Sequence, residues 1–334
     1  MPLPLRRWLA VAALALALGA CDFTPVLDIE TPAYEPVAVL QAVLAADSVA
    51  TVWVSESRDP YGRSAPARER AATVTLLRDG RPVDVLAPGD RCPDYDRPPN
   101  PETGLFETVP CGPHRGAVPV EAGGTYTVRA EVEGLPDVEG TVTVPARPSL
   151  AVVEEASADE RERRFRVTLT DPAGRGDRYA LSVLRTYVTQ SCGDEGCVEF
   201  EAQRFPTTFT TNDPTLLAAA RDVFDNGLRF VTFPDETFDG DARSFVVMTS
   251  QERYSYGDSG QGALTVQLAA LVEDVYDIYQ ITYFGGGDDN PFAEPVNLPS
   301  NVVGGYGLVG AVSVAEVAFE PPRARVVPLG APAR

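Results

Sequence analysis

Short β-branched runs, with apolar positions recurring every second residue, make up most of this chain. Val37–Leu44, Val49–Ser55, Thr73–Leu77, Val83–Leu86, Thr125–Val132 and Val138–Val144 carry the alternation in the first half, which predicts half-buried strands. After Thr73–Leu77, Arg78-Asp79-Gly80-Arg81 supplies a hairpin turn with glycine where a positive φ is needed. The pattern resumes at Phe165–Thr170, Tyr179–Thr189, Val198–Phe205, Leu228–Phe233, Ser244–Thr249, Leu264–Val272 and Gly307–Phe319. Two stretches switch to the helical period. Asn212-Asp213-Pro214 is a cap with a first-turn proline, and Leu216, Leu217, Ala220, Val223 and Phe224 follow it at helical spacing up to Asn226-Gly227. Asp274–Phe284 puts Val275, Ile278, Tyr279 and Thr282 on one face and meets Gly285 at its end. The predicted class is mostly β. An N-terminal immunoglobulin-like β-sandwich spans 37–145, and a C-terminal β-rich domain with one or two short helices spans 149–322. Pro145-Ala146-Arg147-Pro148 marks the expected boundary, and 323–334 is a tail.

The first twenty residues break the strand pattern altogether. Arg6 and Arg7 precede an apolar run from Trp8 to Leu18, then Leu18-Gly19-Ala20-Cys21, the layout of a secretory signal peptide over 1–20. As a helix the run Trp8–Leu18 rises only about 16 Å against roughly 30 Å of hydrocarbon, so it is too short for a permanent span. Small residues before a cysteine resemble the lipobox of bacterial lipoproteins, which implies acylation of Cys21 at the mature N-terminus. Residues 21–36, with prolines at 25, 32 and 36 and acids at 22, 28, 30 and 35, then read as an extended tether reaching about 50 Å.

Charge narrows the partners. The chain carries 28 Lys+Arg, every one an arginine, against 48 Asp+Glu, a net charge of −20. Such a body repels phosphate backbones and anionic headgroups, so neither nucleic acid nor a membrane-binding protein surface is expected. Attachment falls to the acyl chains, at about 0.8 kcal/mol per buried CH₂. Apart from Cys21, the cysteines are Cys92, Cys111, Cys192 and Cys197, an even set in an exported chain. Local pairing joins Cys92 to Cys111 and Cys192 to Cys197, the first closing a Pro-, Gly- and Asp-rich excursion over 88–119 and worth about 3 kcal/mol by loop entropy. Zinc is disfavoured, because there is no C-x-x-C and His114 is the only histidine.

Candidate chemistry is sparse. Gly257-Asp258-Ser259-Gly260 matches the residues around a trypsin-like nucleophile, but the one histidine stands between Pro113 and Arg115 without the protease context, so the match reads as a polar hairpin loop. Asp235, Asp239 and Asp241 occupy odd positions of a calcium-type loop with Gly240, but Val246 replaces the bidentate acid at position twelve. They are weak calcium candidates, and an acidic turn between strands is the simpler reading. With no phosphate loop, no H-E-x-x-H and no cofactor signature, a non-enzymatic role is expected.

The stretch Asn290-Pro291-Phe292-Ala293-Glu294-Pro295-Val296, followed by Ser300-Asn301-Val302-Val303-Gly304-Gly305-Tyr306-Gly307-Leu308-Val309-Gly310, is a proline-broken loop running into a glycine-rich strand entry. It resembles the C-terminal signature of domain of unknown function family 4249, outer-membrane lipoproteins typically encoded beside TonB-dependent receptors. The resemblance extends to the lipobox, the acidic tether and the early strand. It implies no catalytic residues, and makes Asn290, Pro291, Phe292, Glu294, Asn301, Gly304, Gly305 and Gly307 candidates for contact with a partner. The expected function is a non-catalytic outer-membrane lipoprotein that partners a TonB-dependent transporter in nutrient capture. The alternative is a free-standing cell-surface binder of glycan or peptide, using loop aromatics such as Tyr95, Phe106, Tyr254 and Tyr256. Asp22 beside the lipid cysteine is compatible with either the periplasmic or the cell-surface face.

Overall fold

A computed structural model describes residues 34–58, 69–94, 100–101, 103–159, 161–188, 190–193, 196–199, 202–220, 227–250, 260–284 and 297–320, with the backbone alone for 188, 190–193, 196–199, 260–262 and 282–284. The described residues from Pro36 onward belong to one compact unit.

The first half supplies β1 (Ala38–Ala45), β2 (Val49–Glu56), β3 (Ala72–Arg78), β4 (Arg81–Val85), β5 (Arg91–Pro93), β6 (Thr108–Pro110), β7 (His114–Pro119), β8 (Thr125–Val132) and β9 (Val138–Thr143). The second supplies β10 (Ser149–Glu155), β11 (Glu162–Thr170), β12 (Arg178–Val188), β13 (Gln190–Gly193), β14 (Gly196–Glu199), β15 (Gln203–Thr207) and β16 (Thr210–Thr211). The helix α1 (Pro214–Ala219) follows, then β17 (Phe230–Pro234), β18 (Ala242–Ser250), β19 (Gly260–Leu271), the helix α2 (Glu273–Phe284), β20 (Val302–Val303) and β21 (Tyr306–Phe319).

The mostly-β expectation holds, in several sheets stacked as sandwiches. An eight-stranded sheet runs β15-β12-β19-β21-β1-β2-β7, with β17 also paired to β12. A five-stranded sheet, β20-β9-β8-β3-β4, and a four-stranded sheet, β10-β11-β18-β16, accompany it. Alternation does the sorting. In β1, Ala38, Leu40, Ala42 and Leu44 are buried, whereas Gln41 and Val43 are exposed. Leu40, Val52, Val74, Leu76 and Val128 are fully buried in one core, between β1–β2 and the five-stranded sheet. Phe165, Val167, Leu181, Val183, Phe233 and Val247 form a second core against the four-stranded sheet. Each such side chain contributes about 1.5–3 kcal/mol by leaving water.

These two cores fall on either side of Pro145–Pro148, apart from Val309 and Ala311, which join the first. The backbone ignores that boundary. β21 pairs in parallel with β1 from Val39↔Tyr306 to Ala45↔Val312, and β20 pairs with β9 at Val302↔Gly140. The 37–145 segment therefore shares its first sheet with β21, the last strand among the described residues, and the 149–322 segment is not a separate sheet system. A parallel partner needs a long crossover, and here the crossover is nearly the whole protein.

Inside the expected excursion, β5 and β6 form a hairpin and β7 joins the main sheet beside β2. The helix α1 is capped by the Asp213 side chain, which accepts from Thr215 N and Leu216 N. Val223 and Phe224 lie outside the described residues. The helix α2 covers the outer face of the main sheet, burying Val275 with Leu271 and Leu308.

Candidate functional site

Two turns built of aspartate and glycine meet where β11 passes into β12 and β17 into β18. Oxygens of Asp171, Asp177 and Asp235 lie within 4.8 Å of one another. Asp171 and Asp235 are buried, at 3% and 0% exposure. Backbone donors hold them in place, since small loops leave N–H groups that need acceptors. Gly240 N donates to Asp171 Oδ2 at 2.9 Å, and Gly176 N donates to Asp235 at 3.1 and 3.3 Å. The Tyr179 hydroxyl, two residues into β12, donates to Asp171 Oδ1 at 2.5 Å. Asp239 accepts from Gly174 N at 2.8 Å and lies 3.6 Å from Arg175.

Crowding these acids has an electrostatic cost. Burial, then the charges of Asp171, Asp235 and Asp239, push the Asp177 carboxyl above the usual range. Burial and the bond to Asp171 push the Tyr179 phenol upward, so it stays protonated and donates. The donor set is all oxygen, suited to a hard divalent cation and not to zinc.

A carboxyl raised in the folded state binds its proton more tightly there than in the unfolded chain, so stability falls as pH rises through the interval between the two values. Asp177→Asn is expected to raise the melting temperature at pH 7 by about 2–4 °C and to flatten the gain wild type shows as pH drops from 7 towards the carboxylate range. Thermal melts across that range measure both; a lower melting temperature for the variant at pH 7 would contradict the repulsion.

Of the calcium candidates, the structure brings only Asp235 into this triad. Asp239 caps the facing turn, and Asp241 is exposed and contributes its backbone carbonyl to Asp171 N at 3.2 Å. The expected linear loop is replaced by a contact between two turns about sixty residues apart. Asp171-Pro172-Ala173-Gly174 is a turn sequence, and no short-range spacing joins Asp171 or Asp177 to Asp235.

The backbone of the glycine-rich signature packs closely against its neighbours. Asn301 clamps Val309, accepting from its N and donating to its O, both at 2.9 Å. A side chain on Gly304 would meet Asp137 O at 2.3 Å, on Gly305 Ala38 O at 2.2 Å, and on Gly307 Leu40 O at 2.0 Å. These residues let β21 lie against β1 and β9. Asn301, Gly304, Gly305 and Gly307, the expected partner-contact residues, all make close contacts within the chain. Asn290, Pro291, Phe292 and Glu294 lie outside the described residues, as do Cys21, Tyr95, Tyr254, Tyr256 and all of Gly257-Asp258-Ser259-Gly260 but its last residue.

Cys92 and Cys111 are bonded, Cα atoms 5.7 Å apart, stapling β5 to β6. Cys192 and Cys197 face each other in the β13–β14 register, their side chains outside the described set. His114 is buried, with Nε2 3.1 Å from Ala72 O.

No family model matches the chain, and no curated protein matches it. One solved structure, of manganese lipoxygenase of Gaeumannomyces graminis with part of zonadhesin of Komagataella pastoris, aligns over 86% of this chain and 95% of its own, at 11% identity and a TM-score of 0.21. At that score the likeness carries no argument.

Proposed function

We propose that this protein is a non-catalytic lipoprotein of the outer membrane that works by contact, as a partner of a TonB-dependent transporter in nutrient capture. The observation that carries the reading is the Arg6-Arg7, Trp8–Leu18, Leu18-Gly19-Ala20-Cys21 order, reinforced by the resemblance of residues 290–310 to the family 4249 signature. Among the described residues no helix is long and apolar enough to cross a membrane, and in this reading attachment comes from lipid on Cys21. The architecture suits such an attachment. A chain leaving the lipid enters β1, which lies between β21 and β2 in the interior of the widest sheet. Tension on the tether would then act on a strand paired along both edges, rather than on a fraying terminus.

Replacing Cys21 by serine is the direct test. Wild type is expected to take up labelled palmitate and sediment with membranes, whereas Cys21→Ser loses the label and moves to the soluble fraction. Continued sedimentation of an unlabelled variant would overturn the anchor. Crosslinking in native membranes, followed by mild detergent, is expected to recover a large barrel receptor with the wild type; recovery of the protein alone would overturn the partnership.

A further inference from the structure

The outer face of β2-β1-β21 presents a platform whose own rows carry no charged side chain. Register places Ser55, Val39 and Tyr306 in one row and Trp53, Gln41 and Leu308 in the next, with Val43 beside Gly310 beyond them. Tyr306 is 62% exposed, Val43 50% and Trp53 40%. Gln41, between the aromatics, is exposed as well. Trp53 and Tyr306 stand two strands and one row apart, about 12 Å between Cα atoms from ordinary strand spacing and rise. Leu308 is buried under α2, which bounds the platform on one side.

We infer that this face binds a neutral saccharide chain, its pyranose rings lying on Trp53 and Tyr306 with Gln41 between them. The aromatic faces bury the C–H faces of sugar rings, and the amide offers both donors and an acceptor to the hydroxyls. Charge selects this occupant. None of the eight residues at these row positions is ionisable in the neutral range, in a chain with a net charge of −20; Glu69, bridged to Ser55, and Arg115, paired with Thr51, flank them, so an anionic polymer or a lipid surface gains no cation from the rows themselves. A dry protein surface would strand the Gln41 amide, which costs free energy when buried without partners, whereas a saccharide supplies hydroxyls to it. The assignment rests on the capture part of the proposed function and not on the lipid or the barrel. It replaces the loop aromatics by a pair on rigid strands.

The test is affinity electrophoresis of the whole protein in gels containing a neutral β-glucan, xylan or galactomannan, with alginate as the anionic arm, followed by fluorescence titration. Trp53 and Trp8 are the only tryptophans in the sequence, so subtracting the Trp53→Phe signal isolates the platform. Retardation by at least one neutral polysaccharide is expected, with a shift in Trp53 emission and at least a tenfold weakening in Trp53→Ala and in Tyr306→Ala. Both positions are exposed, and unchanged melting temperatures will show that the variants fold. Retardation by alginate alone, by none of the polymers, or equally in both variants overturns the inference, as does a dimer in solution that Val43→Asp dissociates. Membrane fractionation of Trp53→Ala keeps the readings separable, because loss of saccharide binding leaves the anchor where Cys21 puts it.

Discussion

Gly307→Ala is expected to destabilise the protein by about 4 kcal/mol or more, a large part of the 5–15 kcal/mol typical of a folded domain. Gly307 has φ +120°, a conformation that L side chains rarely adopt, and its added Cβ would sit 2.0 Å from Leu40 O and 2.8 Å from Leu40 C. Leu40 is fully buried in the middle of β1, so its carbonyl has nowhere to retreat. β21 must lift away, taking the parallel pairing and the packing of Val309 and Ala311 with it. Gly123 supplies the contrast, with φ +77° and nothing within 4 Å of an added Cβ. Gly123→Ala should cost only the backbone term, about 1–2 kcal/mol. Denaturant titrations of the two variants measure the difference; equal midpoints would mean that β21 does not approach β1 as closely as described.

Tyr179→Phe is expected to cost about 2–3 kcal/mol, the value of a buried hydrogen bond to a charged acceptor. The ring keeps its packing against Phe233 and Phe238, at centroid distances of 5.8 and 6.3 Å. What disappears is the hydroxyl that reaches Asp171 Oδ1, while the backbone Gly240 N still donates to Asp171 Oδ2. Melting temperature should fall by roughly 4–10 °C for a chain of this size. Adding Asp177→Asn should recover part of the loss, because one of the negative charges facing Asp171 is then gone. A Tyr179→Phe protein as stable as wild type would mean that Asp171 does not depend on this donor.

Both variants probe contacts between residues far apart in sequence, and that is where reading the chain alone stopped. Strands β1, β2, β3, β8, β9 and β11 were legible because one face is buried and the other wet, which imposes a period of two on the residues themselves. The helix α1 was legible through Asp213 and Pro214, whose capping geometry is local. β5, β6 and β10 were not. The first two are three-residue strands in a proline-rich stretch, and β10 carries Glu154 and Glu155 because they pair with Arg163, Arg164 and Arg166 on β11.

By itself, then, the sequence determined the β class, the alternation of inner and outer residues, and the local cysteine pair Cys92–Cys111. Each of these depends on neighbours within about twenty residues. Only the tertiary structure decided that the last strand lies parallel to the first, that the signature glycines serve that approach, and that Asp171 and Asp177 meet Asp235. It also decided that Trp53 and Tyr306, some 250 positions apart, share one face. Those outcomes follow from strand order and register, which the burial of both cores selects jointly and no short window of residues encodes.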